Sequence, residues 1–352
     1  MRAVVLETHG EPLAVRDVPV PDPDPDGVVV DVEACGICRS DWHAWKGHGD
    51  WVDDVPPEGQ ILGHEPAGTI VEVGERVETL REGDRVAVPF SLGDGTCPRC
   101  RNGHGNVCEN GIGLGFEPAG QGAFADRVAV PHADYNLTTL PDGLSATATA
   151  ALGCRYMTAY HGLAHRADLT PGDWVAVHGC GGVGLSAVQI AGALGARVIA
   201  VDIREAALEK AVELGAHATV DGEGDVSKAI RERTDGGADV SIDALGIAET
   251  CRNSVDCLAS LGQHLQMGLT TGAERGEVPL PTDSMVGREV DFLGSRGMPP
   301  TRYDELLDFV ASGAIDPAEL VTRTVPLDEV PSRIAAMDEF DAVGIEVCEL
   351  RP

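Results

Sequence analysis

A chain of 352 residues, 43% of them hydrophobic, is long enough for two domains with separate cores and too apolar to stay disordered. Asp and Glu number 57 against 26 Lys and Arg, and the formal net charge of −31 argues against a nucleic-acid partner held through its phosphates. The lysines are Lys46, Lys210 and Lys228, so carboxylates prevail along the whole length. A solvated acidic shell accounts for such a surface. Adaptation to high salt accounts for it too, because mobile ions screen the self-repulsion and the Debye length falls to about 3 Å at 1 M. Carboxylates in place of lysines throughout favour the halophilic reading. The 10 cysteines point to metal ligands before disulfides.

In chain order, the run 1–6 enters a strand directly with no signal-peptide architecture, so the expected location is cytoplasmic. Residues 1–153 read as β-rich, with short alternating runs at 28–32, 68–73 and 85–88 between Pro and Gly clusters. The segment 21–25 is a turn-rich connector. The most apolar long stretch is 174–196, whose glycines and His178 make it a buried strand, turn and helix and not a membrane span. A strand at 197–201 then ends at Asp202, which completes a βαβ unit. Further strands are expected at 239–243, 263–267 and 290–293, with helices at 205–214 and 225–233. Strands alternating with helices imply an α/β fold with a doubly wound parallel sheet. The tail carries helices at 302–310 and 330–337 and a last strand at 343–348. No internal repeat is evident.

The βαβ turn reads Gly179-Cys-Gly-Gly-Val-Gly184. This G-x-G-x-x-G follows a strand, opens a helix and is trailed by an acidic residue at the end of the next strand, which is the dinucleotide-binding context. Gly179 allows the tight turn, and Gly181, with Gly182 and Val183, brings backbone to the pyrophosphate at a helix N-terminus. Gly184 permits close helix–strand packing. Asp202 accepts from a ribose 2′-OH and repels a 2′-phosphate, favouring NAD, while Arg204 keeps NADP possible. A glycine turn in a Rossmann-like methyltransferase would look similar, but would have no use for the residues described next.

Cys35-Gly-Ile-Cys-Arg-Ser-Asp-Trp-His43 places the thiol of Cys38, the hydroxyl of Ser40, the carboxylate of Asp41 and the imidazole of His43 on one short stretch. Gly63-His64-Glu65 and Leu152-Gly153-Cys154 follow downstream. Together these motifs resemble the zinc-dependent medium-chain alcohol dehydrogenases, over the whole chain. The resemblance implies a GroES-like β-rich catalytic domain at 1–153 and 296–352, completed by the returning tail, and a Rossmann NAD-binding domain at 154–295. It makes Cys38, His64 and Cys154 the ligands of a catalytic zinc with an open fourth position, with Glu65 behind the metal and able to approach it. Asp41 is then the carboxylate that orients His64. The implied mechanism is a zinc-bound alkoxide formed as Ser40 takes the proton. The proton passes through the cofactor ribose to His43, whose ordinary pKa of about 6.5 suits release to water, and hydride goes to NAD. Arg39 is expected on the pyrophosphate and Thr158 against the nicotinamide.

A structural zinc lobe in this family carries four cysteines at C-x2-C-x2-C-x7-C. Here Cys97, Cys100 and Cys108 keep the last three places and Asp94 takes the first, so an Asp-Cys₃ site is expected. His104 is an alternative fourth ligand, and a lobe without metal is the remaining reading. Trp42, Trp45, Trp51, Phe90, Leu92 and Phe116 are expected either to wall an apolar pocket or to sit in core. The partner is a small-molecule alcohol or aldehyde, and a homo-tetramer or dimer is implied. Rivals are a polyol or sugar dehydrogenase of the same superfamily, which tends to use a glutamate as third ligand, a zinc-free quinone reductase, and a non-catalytic nucleotide-binding protein on this fold. The remaining cysteines, Cys35, Cys180, Cys251, Cys257 and Cys348, are expected to be small buried residues.

Overall fold

Val28–Ile37 is the strand on which the first half of the chain is assembled, because its β-branched and small residues are buried on both faces. The computed structural model describes residues 1–48, 55–270 and 274–351. The chain divides into two units, Met1–Met157 with Gly297–Pro352, and Thr158–Arg296. Cys154 therefore lies in the same unit as Cys38 and His64.

In the first unit a seven-stranded sheet runs in the order Thr138–Thr139, Arg85–Ala87, Pro66–Val73, Val28–Ile37, Ile345–Glu349 and Val321–Val325, and Arg127–Val130 also pairs with Val28–Ile37. The tail thus returns to the central strand, with Glu346 opposite Ile37 and Cys348 opposite Cys35. On the other side Cys35 lies opposite Pro66 in antiparallel register. That register brings two segments to one end of the sheet: the chain leaving Ile37 into Cys38, and the chain arriving through His64 and Glu65. The backbone N–H of Gly36 donates to the Glu65 carbonyl at 3.1 Å across that end. Gly63 just before it has φ +97°, and a Cβ there would stand 2.6 Å from the Phe124 nitrogen, so only glycine fits.

The helix Arg39–Lys46 begins directly after Cys38, which is extended at φ −112° and ψ 155°, and ends on the left-handed Gly47. The runs expected at 28–32 and 68–73 prove longer at their ligand-bearing ends. Two register shifts, at Val29/Val30 and Val32/Ala34, carry the pairing past the point where simple alternation stops.

Among its described residues the second unit holds six parallel strands: β1 Trp174–His178, β2 Arg197–Asp202, β3 Ala218–Asp221, β4 Ala238–Asp243, β5 Leu258–Gln266 and β6 Asp291–Gly294. Their order is β3-β2-β1-β4-β5-β6, the doubly wound Rossmann arrangement. β3 escapes sequence reading because it is four residues at the sheet edge with only Val220 buried. β5 starts five residues earlier than expected, where Ser260 and Gly262 interrupt the apolar pattern and Leu261 is exposed. The helices Gly182–Ala193, Glu205–Glu213 and Val226–Thr234 follow the expected positions, the last opened by an Asp225 side chain that accepts the Lys228 N–H. Cys35, Cys180, Cys251, Cys257 and Cys348 are buried free thiols. Among the described residues no helix is long and apolar enough to cross a membrane.

Candidate metal centres and nucleotide loop

Three elements deliver the first cluster. Cys38 stands at the strand–helix junction and His64 and Glu65 precede the strand Pro66–Val73. Cys154 sits in Leu152–Tyr156, a widened helical turn broken at Gly153 (φ −58°, ψ −146°). One ligand atom from each of Cys38, His64, Glu65 and Cys154 lies within 4.8 Å of the others. His64 is fully buried, and its Nε2 has no hydrogen-bond partner among the described residues. A buried ring nitrogen left without a partner is costly unless a ligand completes it. Two thiols, one such imidazole and a neighbouring carboxylate are the donor set of a zinc site.

Asp41 organises this cluster from inside. Its Oδ1 accepts from His64 Nδ1 at 2.9 Å and from the Gly63 N–H at 3.1 Å, and its Oδ2 accepts from the Cys38 N–H at 3.0 Å. With Nδ1 donating, Nε2 is the nitrogen that carries the lone pair. A hydrogen bond from Cys154 holds the Cys38 thiol well below its usual range against the upward push of burial, and Arg155 adds to the lowering. Burial pushes the Glu65 carboxyl up to about 6, with Arg155 pulling the other way. The rings of Phe90 and Phe116 stand 5.9 and 4.8 Å from the His64 ring and give it an apolar wall.

The second cluster joins Asp94, Cys97, Cys100 and Cys108, whose ligand atoms also lie within 4.8 Å of one another; His104 is not among them. Backbone amides point at two of the three sulfurs. The Cys100 N–H meets Cys97 Sγ at 3.4 Å, and the N–H groups of Asp94 and Asn110 each meet Cys108 Sγ at 3.4 Å. Such donors favour thiolates, and the Cys100 N–H is the largest cause lowering the Cys97 thiol, whereas burial outweighs the two amides at Cys108 and pushes its thiol up to about 12. Asp94 accepts from Asn110 Nδ2 at 2.6 Å and from the Cys97 and Thr96 amides at 2.9 and 2.7 Å, which hold its carboxyl well below the usual range. The residues fit a metal, and the aspartate is ionised and ready to serve it.

In the second unit the glycine loop opens the helix Gly182–Ala193. Gly179 is left-handed at φ +89°, and a Cβ on Gly184 would overlap the Gly179 carbonyl oxygen. Asp202 receives the Cys180 N–H at 2.7 Å, which places the carboxylate beside the loop. The Arg204 guanidinium leans on that same carboxylate, Nε to Oδ1 at 3.2 Å. Thr158 is buried, and its carbonyl accepts from Ser295 Oγ at 3.4 Å.

Other expected residues lie as follows. Cys38 Sγ is 3.7 Å from Ser40 Oγ. His43 Nδ1 faces His48 Nδ1 at 3.4 Å. The ordinary value assumed for His43 is not kept: burial first, then Arg39 and His48, bring it down to about 4. Arg39 is clamped between the rings of Trp42 at 4.2 Å and Phe340 at 3.8 Å and donates to the Met337 carbonyl at 3.0 Å. Trp42, Trp45 and Leu92 belong to the core of the first unit. Trp51 lies outside the described residues. Sequence reading passed over Arg155, which is buried against Glu65; a charged residue after Cys154 carries no pattern that announces burial.

The fold and these clusters define a zinc-binding, nucleotide-dependent dehydrogenase. Residues 24–142 match the alcohol dehydrogenase GroES-like domain and residues 182–312 the zinc-binding dehydrogenase family. The chain belongs to the zinc-dependent medium-chain alcohol dehydrogenases and works with zinc and NAD. It is 36% identical to the NAD-dependent alcohol dehydrogenase of Sulfurisphaera tokodaii, with 99% of each chain covered. It is 31% identical to the sorbitol dehydrogenase of Halalkalibacterium halodurans, with 98% of each covered. The structure of the alcohol dehydrogenase TADH from Thermus sp. ATN1 matches with a TM-score of 0.91 at 34% identity, covering 100% of both chains.

Asp41→Asn is expected to weaken zinc retention by about 10–100-fold in chelator competition, because the amide cannot accept all three N–H groups. Asp94→Ala is expected to release one equivalent of zinc per chain and lower the melting temperature while turnover is largely kept. Metal analysis and thermal melting of one preparation read both.

Proposed function

We propose that the chain oxidises primary and secondary alcohols, reversibly, to aldehydes and ketones. The observation that carries this reading is the convergence of buried Cys38, buried His64 and half-buried Cys154 around an imidazole nitrogen without a hydrogen-bond partner among the described residues. Those three residues would hold the catalytic zinc, and Asp94, Cys97, Cys100 and Cys108 a second, structural one. The first unit would supply the catalytic domain and the second the coenzyme domain. When bound, zinc supplies Lewis-acid polarisation of the substrate oxygen and NAD accepts the hydride.

The chain's own residues handle protons and position. Ser40 Oγ, beside Cys38, takes the proton of the substrate hydroxyl. His43 is the outlet to solvent; its ring is held neutral at physiological pH, so a proton it receives passes readily to water. Asp41 fixes the His64 tautomer, and Phe90 and Phe116 offer an apolar surface that suits simple aliphatic or aromatic alcohols. Arg39 and Thr158 are assigned to the pyrophosphate and the nicotinamide. Gly179, Gly181, Gly182, Val183 and Gly184 are assigned to the phosphates, and Asp202 to the ribose of NAD. The Asp202–Arg204 pair favours NAD over NADP, since the guanidinium already has a carboxylate.

Polyol oxidation is the second reading. It is favoured by Glu65, a carboxylate within ligand reach, and by the likeness to a sorbitol dehydrogenase. A cytoplasmic, homo-oligomeric enzyme is in keeping with the sequence. The edge strand β6 has Phe292 exposed at 39%, with Val286 nearby in sequence exposed at 77%, an apolar border fit for a second copy.

NAD reduction with ethanol, benzyl alcohol and a polyol, before and after a zinc chelator, tests the reading. Chelator-sensitive oxidation of the simple alcohols is expected; activity on the polyol alone would favour the second reading. The charge of −31 leads to a further expectation, adaptation to salt. The melting temperature should fall on dialysis from about molar salt into dilute buffer, and full stability in dilute buffer would contradict it.

A further inference from the structure

Arg155 follows Cys154 in sequence and reaches both other ligand-bearing segments. Its Nη2 donates to Glu65 Oε2 at 2.5 Å and its Nε to Oε1 at 3.3 Å. Its backbone N–H meets the same Oε1 at 3.3 Å, and Nη1 donates to the Ile37 carbonyl at 3.0 Å. Glu65 adjoins His64 and Ile37 adjoins Cys38, so one side chain is tied to the neighbours of two ligands while adjoining the third.

The pair has little exposure, 8% for the arginine side chain and 0% for the glutamate. A buried ion pair is weak support for stability in itself, because desolvation offsets most of the attraction. Room for this one is made in both flanking segments. A Cβ on Gly36 would overlap Glu65 Oε2, and a Cβ on Gly153 would lie 2.5 Å from both Cβ and Cγ of Glu65. Glu65 is also one of the four residues whose ligand atoms gather within 4.8 Å. A carboxylate bonds zinc at about 2.0–2.2 Å, so a modest swing of this side chain would take the place a substrate oxygen needs.

We propose that Arg155 is a positioning residue: its guanidinium fork holds the Glu65 carboxylate off the metal and keeps the fourth coordination position open for the alcohol. The proposal rests on Cys38, His64 and Cys154 being the ligands. Both Glu65 oxygens are engaged by a cation whose other arm is anchored on Ile37, so the carboxylate is held in direction as well as in charge. Without that fork, Glu65 would be a buried anion beside a divalent cation, and coordination would be its best way to be compensated.

The test uses the full chain with cobalt(II) in place of zinc, and imidazole as the probe of the open position. In Arg155→Met, Glu65 is expected to close that position. The imidazole-sensitive d–d bands should shift and imidazole affinity fall by about tenfold or more. The double variant Arg155→Met/Glu65→Gln should recover both, because the amide is a poor ligand. Unchanged bands and unchanged imidazole affinity in Arg155→Met would overturn the proposal and leave the pair a structural brace. Should Arg155→Met not fold, Arg155→Gln, which keeps a hydrogen bond but no charge, is judged on the same two readouts. Cys38→Ser, run alongside, separates the two ideas: imidazole-sensitive bands that it leaves untouched would sink the ligand assignment itself, whatever Arg155 does.

Discussion

The Asp41 carboxylate accepts three hydrogen bonds at once, from the backbone of Cys38, the backbone of Gly63 and the ring of His64, and the arrangement of the thiol–imidazole cluster depends on it. Hydrogen bonds to a charged group contribute about 1.5–3 kcal/mol each. Here they bind a helix start to a loop that the sheet brings only as far as Cys35 and Pro66. Beyond that last pair the ladder between these two segments thins to the Gly36 N–H to Glu65 carbonyl bond. One buried carboxylate takes over from there, and in doing so decides which histidine nitrogen faces the thiols.

The same end of the sheet explains why the residues around this cluster are small. Gly36, Gly63 and Gly153 each lie against backbone or a side chain that a Cβ would strike. The absence of side chains at Gly36 and Gly153 lets Glu65 and Arg155 sit next to two thiols and an imidazole without leaving a charge unpaired. The second cluster solves the same problem differently. Its thiols collect backbone N–H groups, as befits a compact lobe on short turns. In the second unit the constraint is again closeness of backbone: Gly184 lies so near the Gly179 carbonyl that the loop cannot carry a side chain there.

Motif spacing made much of this legible. The glycine loop and its trailing Asp202 were readable because strand, turn, helix and acid occur in fixed order, and the structure has them in that order. Cys38, His64 and Cys154 were readable as a set only through family resemblance, since they are far apart in sequence and nothing local says that they meet. The substitution of Asp94 in a cysteine lobe was visible by counting. Arg155 was invisible, because burial of an arginine depends on a partner ninety residues away. The shift of His43 was equally hidden: Arg39 and His48 are near in sequence, but their approach and the burial are properties of the fold. The tryptophans of the helix Arg39–Lys46 read equally as pocket wall or core, and the structure makes them core, with Trp42 Nε1 donating to Asp338 Oδ1 at 2.7 Å.

One metal is expected among Cys38, His64 and Cys154. Diffraction from a crystal of the zinc-loaded protein, recorded on either side of the zinc absorption edge, would locate it. An anomalous peak bounded by those three side chains is expected, with Glu65 turned to Arg155, and a second peak among Asp94, Cys97, Cys100 and Cys108. Zinc at neither cluster, or zinc bound elsewhere with His64 Nε2 facing only protein, would contradict it.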